Sequence, residues 1–168
     1  MKKKKSNARA IILNGVAIIL STLIMIFYAC PHYVNKSSVG DAVISSPNGF
    51  DAIKNMFDVD NKASATVAGI MILIVFITAA IVLLLAIVNM LGAFGVIGNV
   101  KVIKALNMLV SALLALAGIL AVICLAVYLK DTEGLGITRS IGWAIAVNMV
   151  LAIGTCVVVS LDFLTSKK

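Results

Sequence analysis

Two long apolar runs decide the fold of this chain: VAGIMILIVFITAAIVLLLAIVNML (residues 67–91) and ALNMLVSALLALAGILAVICLAVYL (residues 105–129). Neither run contains a charged residue. About 20 consecutive apolar residues are enough to cross the hydrocarbon core of a bilayer, so each run is long enough for a transmembrane helix. A short glycine-rich link, residues 92–98, joins the two runs, and we therefore expect a helical hairpin.

Composition places the whole chain in the same class. Of its 168 residues, 62% are hydrophobic and only 12% are charged, whereas soluble domains average about 25% charged residues. The segments outside the apolar runs are too short to build a separate soluble core. The sequence therefore predicts an all-α integral membrane protein with one domain, residues 1–168.

Two further apolar runs complete a predicted bundle of four transmembrane helices. We expect these helices over residues 10–29, 63–91, 102–129 and 137–161, with an outer loop over residues 30–62. Four crossings put both termini on the same side of the membrane. The outer helices are expected to pack around the central hairpin.

The first run has an alternative interpretation, because a basic start followed by an apolar run is also typical of a signal peptide. Ala29-Cys30 resembles the end of a bacterial lipoprotein cleavage box. However, Phe27 and Tyr28 fit such a box poorly, and the run is longer than the roughly 7–15 apolar residues of a signal. We therefore expect a retained helix.

The outer loop is predicted to contain a short amphipathic helix over residues 46–57. Ser46 is a candidate N-cap and Pro47 a candidate first residue, since proline has no N–H to leave unpaired there. Asn48-Gly49 favours a turn, so a start at Phe50 is the alternative. The apolar face of this helix, expected to lie on the membrane surface or to cap the bundle, consists of Phe50, Ile53, Met56 and Phe57.

Charge distribution predicts the orientation. Nine basic residues lie in the two tails and the hairpin link, namely Lys2, Lys3, Lys4, Lys5, Arg9, Lys101, Lys104, Lys167 and Lys168. The outer loop and the loop between the third and fourth apolar runs together hold the other five. Lys and Arg are enriched in cytoplasmic segments, so both termini are expected to be cytoplasmic in a multi-pass cell-membrane protein. The lysines are expected to attract anionic lipid headgroups, and no motif indicates nucleic-acid binding. The lysine-rich start and the cleavage-box likeness favour a bacterial source.

Chemistry-bearing residues are sparse. The apolar runs carry no acidic, basic or histidine side chain in their interiors, which weakens any proton-coupled transport hypothesis. The single histidine, His32, is expected to be a solvated residue at the interface rather than a metal ligand, because no second ligand cluster accompanies it. We predict no catalytic, cofactor or metal site and do not expect an enzyme.

Small and amide side chains carry the remaining signal. Ala144, Ala152 and Cys156 belong to a row that includes Ser140 and recurs at every fourth position, a spacing that allows close helix packing in lipid. Within the apolar runs, an amide needs a hydrogen-bonding partner, so the asparagines are expected either to join helices or to line a pore. These asparagines are Asn14, Asn89, Asn107 and Asn148.

Two functional hypotheses follow. The first is a non-enzymatic scaffold or accessory subunit that contacts another membrane protein through its outer loop and small-residue helix faces. The alternative is a homo-oligomeric channel in which the asparagine-bearing faces line a path between subunits. Loop position and overall topology resemble those of claudin-type tetraspans, but the tryptophan and paired cysteines of their outer loop are absent. The resemblance therefore implies a layout and not a function.

Overall fold

The structure is a computed structural model that describes residues 2–38, 40, 42–59, 62–98, 100–132 and 137–166. Among these residues, four helices are long and apolar enough to cross a membrane. The elements in chain order are α1 (Lys2–Phe27), β1 (Tyr33–Ser37), β2 (Val43–Ser45), α2 (Gly49–Phe57), α3 (Ala63–Ala93), α4 (Lys101–Asp131), β3 (Ile137–Ile141) and α5 (Trp143–Ser166).

The four long helices form a closed ring in which α1 packs against α3, α3 against α4, α4 against α5, and α5 against α1. Neighbours along the chain run in opposite directions, so both termini lie at one end of the bundle, here called the termini end. The strands and α2 lie at the opposite end and are together called the cap.

The bundle core follows a repeat of three and four residues. In α1 the buried side chains are Asn14, Ala17, Ser21, Ile24 and Tyr28 at its end. The other helices follow the same spacing, with one or two extra buried positions. An alternation of three and four averages 3.5 residues, the period of helices packed lengthwise in left-handed bundles. The remaining helix faces are apolar but exposed.

Helices α3 and α4 extend beyond α1 at the cap end. Each is 31 residues long, against 26 for α1. The hydroxyl of Tyr28, one residue after α1, donates a hydrogen bond to the carbonyl of Ile72, which lies more than two turns inside α3. The start of α3 therefore projects by about 13 Å at 1.5 Å per residue. The cap packs on these projections, α2 against α3 and β3 against α4.

A small antiparallel sheet was not predicted from the sequence. The strand order in the described chain is β2-β1-β3, and Tyr33 pairs with Ile141 at one end of the β1–β3 ladder. Residues 137–141 therefore form a strand, and the predicted fourth helix over residues 137–161 is wrong at its start. Three of the five residues of the segment ITRSI are β-branched, a composition that suits a strand at least as well as a helix turn.

Other predicted boundaries also need correction. The basic tail belongs to α1, which begins at Lys2 and ends at Phe27 rather than spanning residues 10–29. In the outer loop, α2 begins at Gly49, and the N-cap is Asn48, whose side chain accepts a hydrogen bond from the Asp51 N–H at 2.9 Å. Ser46 is therefore not the cap. An asparagine side chain caps helices as readily as serine does.

Candidate functional site

Buried polar side chains mark both ends of the described bundle. The cap layer consists of Tyr28, His32 and Asn148. The termini layer consists of Asn14, Asn89, Lys104, Asn107 and Asp162. Apart from Lys104, the residues of both layers are at most 4% exposed.

Asp162 is at the centre of the termini layer. Its carboxylate lies 3.1–3.2 Å from the Nζ of Lys104 and accepts a hydrogen bond of 3.1 Å from the Nδ2 of Asn14. The same Nδ2 also donates to the carbonyl of Ala10 at 2.8 Å. The arrangement joins α1, α4 and α5 at one point.

The predicted fourth helix ends at residue 161, whereas Asp162 lies inside α5 and is only 4% exposed. The helix continues past Leu161 because the carboxylate meets a cation and an amide donor, which offset the loss of water around a buried charge. The side chain of Lys104 is only 11% exposed. A buried pair of this kind is costly to break, because removal of one partner leaves the other charge uncompensated.

Asn89 and Asn107 lie near the hairpin link, and each is 1% exposed. Within the described part of the chain, neither amide atom of Asn89 has a hydrogen-bond partner, and neither does the Oδ1 of Asn107. All four candidate asparagines therefore face the interior of a single chain. The Nδ2 of Asn14 donates two hydrogen bonds, whereas both amide atoms of Asn89 and of Asn148 lack a partner among the described residues.

The hydrogen bond from Asn14 to Asp162 aligns α1 with α5 at the termini end. At the cap end, Tyr28, one residue after α1, lies near Asn148 of α5. These last two side chains line the same cavity. The polar contacts at the two ends of the bundle thus belong to one antiparallel register.

His32 connects the cap to the bundle. Its N–H donates to the carbonyl of Pro47 at 2.9 Å, and its carbonyl accepts from the N–H of Gly142 at 2.8 Å. A Cβ on Gly142 would overlap the backbone of Pro31 and His32. The loop before α2 and the start of α5 are therefore both held against one residue.

The side chain of His32 is also enclosed. It is 1% exposed, its ring lies 5.0 Å from the ring of Tyr28, and its Nδ1 lies 3.0 Å from the carbonyl oxygen of Cys30. The expectation of a solvated histidine is therefore wrong. Burial lowers the pKa of His32 below its usual value of 6.5, and the Cys30 carbonyl partly opposes this effect. The neutral ring donates from Nδ1 and keeps a lone pair on Nε2.

A cavity of about 10 Å³ lies between the cap layer and the middle of the bundle. Asn148 faces it from α5, and neither of its amide atoms has a hydrogen-bond partner among the described residues. The other walls are mostly apolar or small, from Ile72, Val75, Gly118, Ala121, Ile145 and Met149.

The small-residue row of the last helix packs inside the bundle. Ala144 and Ala152 are fully buried, and Cys156 is partly buried. A Cβ on Gly118 of α4 would lie 3.2 Å from the Cβ of Ala152, so the two helices approach closely here. Ser140 lies in β3 and is not part of this helical row.

The predicted apolar face of α2 is divided between the bundle core and the surface of the chain. Met56 is fully buried and Ile53 packs against the core, but Phe50 and Phe57 are 53% and 48% exposed. Ala52, which was not predicted, is fully buried instead. Phe50 nevertheless contacts the rings of Tyr28 and Phe76, at 5.7 and 5.2 Å.

Sequence reasoning missed His32 and Asp162 because both were judged by their neighbours in the chain. A signal for Asp162 was present, since Asn148, Thr155 and Asp162 are seven residues apart and all are buried. No comparable signal marks His32, whose burial depends on long-range contacts with Gly142 and Pro47.

Comparison with protein families, with curated proteins and with solved structures found no match to this chain.

Proposed function

We propose that the chain is a multi-pass membrane protein that acts as a non-enzymatic scaffold or accessory subunit. Its bundle serves as the anchor and its cap as the surface that contacts a partner. The observation that carries the proposal is the division of polar groups. The polar side chains of the bundle core are enclosed within one chain, whereas the exposed hydrogen-bonding and charged groups belong mainly to the cap and the termini end.

Exposed apolar side chains support the membrane part of the proposal. Each long helix presents at least one strongly exposed apolar side chain. The exposed fractions are 60% for Ile19, 63% for Leu84, 57% for Leu113 and 63% for Val150. A soluble protein rarely exposes a continuous apolar surface of this kind, whereas lipid covers it without cost. The chain is therefore expected to span the membrane four times.

Basic residues support an orientation with the termini end in the cytoplasm. Lys101 and Lys104 begin α4 at the same end as the basic tail of α1. Cytoplasmic segments are enriched in Lys and Arg, and anionic headgroups attract each such residue by about 1 kcal/mol. A bacterial cell membrane, rich in anionic lipid, suits this arrangement.

The partner surface is proposed to include β2. Among the described strands, β2 is at an edge of the sheet beside β1, and all three of its residues are exposed. Val43 and Ile44 are 60% and 57% exposed. An edge strand with apolar side chains offers unpaired backbone groups to a second chain. A membrane protein or another copy of this chain is the expected partner.

The channel alternative has less support from the packing. It needs Asn14, Asn89, Asn107 and Asn148 on faces between subunits, and each is at most 2% exposed within a single chain. A path between subunits would have to use other residues. Between the ends of the four helices, the large exposed side chains are apolar.

The test combines mass and flux. The chain purified in lipid nanodiscs is expected to run as a monomer, a small oligomer or a fixed complex with a second protein, and liposomes containing it are expected to retain small ions. The same mass measurement reports whether residues 1–29 remain attached. A ring of four or more copies that releases ions or small solutes from liposomes would contradict the scaffold proposal and support the channel.

A matched pair of variants examines the cap. Val43→Asp places a charge on the exposed β2 strand, where the side chain is 60% exposed, and Val102→Asp places one at the start of α4, where it is 80% exposed. The first is expected to weaken a partner complex or cap-mediated oligomer, and the second to leave it intact. Equal loss, or no loss, in both variants would contradict a role for β2.

A further inference from the structure

We propose that the cavity between Tyr28, His32 and Asn148 binds one water molecule. This water hydrogen-bonds the amide of Asn148 and the Nε2 of His32, and it thereby links α5 to the cap. The inference concerns the interior of the bundle and does not depend on the scaffold proposal.

Asn148 supplies the first argument. The side chain is 2% exposed, and within the described residues neither its Nδ2 nor its Oδ1 meets a protein donor or acceptor. An amide enclosed by apolar side chains without a hydrogen bond is strongly unfavourable, and nearly all such groups in native proteins have a partner. The cavity is the space beside Asn148 in which such a partner can sit.

The size of the cavity limits the ligand to one small molecule. Its volume of about 10 Å³ matches the smallest cavity that accommodates a single water. Ile72, Val75 and Ile145 close the sides with apolar groups that offer a larger polar ligand no contacts. A hydrated ion or an organic molecule does not fit.

Two other residues that line the cavity, His32 and Tyr28, offer the remaining hydrogen bonds. The Nδ1 of His32 is used by the Cys30 carbonyl, so in the neutral ring Nε2 is an acceptor. The hydroxyl of Tyr28 gives its proton to the carbonyl of Ile72, which leaves the phenolic oxygen as a second acceptor. A water that accepts from Asn148 and donates to these acceptors makes the three hydrogen bonds typical of buried water.

The test is a measurement of magnetisation transfer from water to asparagine side-chain amides by NMR, on the full chain in nanodiscs. Asn14 is the matched control, because its Nδ2 donates to the carbonyl of Ala10 and to Asp162. Transfer from a slowly exchanging water is expected at the Nδ2 of Asn148 and not at that of Asn14. No transfer at Asn148, or equal transfer at both, would overturn the single-water site.

A pair of variants tests the location. Ala121→Val adds two methyl groups to the cavity wall, and Ala79→Val adds them at an equally buried position of α3 that does not line the cavity. Ala121→Val is expected to abolish the transfer at Asn148, and Ala79→Val to preserve it. Persistence of the signal in Ala121→Val would place the water elsewhere and overturn the proposal. The measurement on the unaltered chain remains decisive if either variant fails to fold.

Discussion

Asp162 illustrates how single residues fix the packing of this bundle. Apolar side chains can slide along one another at little cost, but a carboxylate 3.1 Å from a lysine and from an amide has one favourable position. A register shift of one helix turn would separate these groups and leave a buried charge uncompensated. The polar contact therefore selects one alignment of α1, α4 and α5 from several that would bury similar apolar area.

The first prediction concerns this ion pair. Asp162→Asn removes the carboxylate charge beside the largely buried Lys104 and is expected to destabilise the fold by roughly 3 kcal/mol. The double variant Asp162→Leu with Lys104→Met removes both charges and is expected to recover most of that loss. Unfolding of the protein in detergent measures both effects. Additive losses in the double variant would contradict the direct coupling of the two side chains.

The second prediction concerns His32, the single histidine of the chain. Burial holds its pKa in the folded state below the 6.5 of the unfolded chain, so the unfolded state binds the proton more readily. Its contribution to stability is therefore fully present above pH 6.5 and is lost progressively as the pH falls below 6.5. The cause is desolvation of the ring, which lies against the ring of Tyr28 and the Cys30 carbonyl.

Thermal unfolding between pH 7.5 and pH 5 measures this dependence. His32→Gln removes the titrating group and is expected to flatten the profile near pH 6, whatever its own effect on stability. An unchanged profile in this variant, or a protein that becomes more stable on acidification through pH 6.5, would contradict the buried neutral histidine.

At the scale of elements, the cap is held to the bundle by apolar packing of α2 on α3 and by backbone hydrogen bonds at His32. Gly142 lies between β3 and α5, where its N–H donates to the His32 carbonyl. The ladder from Tyr33 to Ser37 then pairs β1 with β3 along its full length. Three segments far apart in sequence therefore meet at His32 and its neighbours.

The third prediction tests this junction. Gly142→Ala introduces a methyl group against the backbone of Pro31 and His32, which cannot move aside as a side chain can, and is expected to cost about 1–3 kcal/mol. Gly15→Ala in α1 is the control, because nothing lies within 4 Å of its new methyl group. That substitution is expected to be neutral or to stabilise α1 by up to about 1 kcal/mol.

Thermal stability and proteolysis after Lys36 of β1 report the two outcomes. Gly142→Ala is expected to lower the unfolding temperature and expose Lys36 to trypsin, and Gly15→Ala to do neither. A Gly142→Ala protein as stable and as resistant as the parent would show that β3 does not approach His32 closely.

The elements that the sequence predicted correctly are those whose signal is local. The hairpin of α3 and α4 follows from two uncharged runs, and the structure extends it only slightly, to Ala93 and Asp131. The sheet was missed because β1, β2 and β3 are short and because β1 pairs with β3 from the other half of the chain. Asp162 was missed because a charge at the end of an apolar run looks like a boundary until its partner is known.

At the scale of the whole molecule, the layout follows from local sequence signals, whereas the function does not. Hydropathy predicts four long helices, and the structure has four helices long and apolar enough to cross a membrane among its described residues. Which protein binds the cap depends also on the surface of that partner. For this reason the layout could be predicted from the chain alone, whereas the scaffold role stays a proposal.

The measurement that tests the central claim most directly is the accessibility of single cysteines in intact cells, after replacement of Cys30, Cys124 and Cys156 by serine or alanine. Val43→Cys lies in the exposed cap, and Val96→Cys lies in the exposed α3–α4 link at the termini end, where Val96 is 71% accessible. A maleimide that does not cross membranes is expected to label Val43→Cys in intact cells, and Val96→Cys only after permeabilisation. Labelling of both positions in intact cells, or of Val96→Cys alone, would contradict a four-helix membrane bundle with its cap outside.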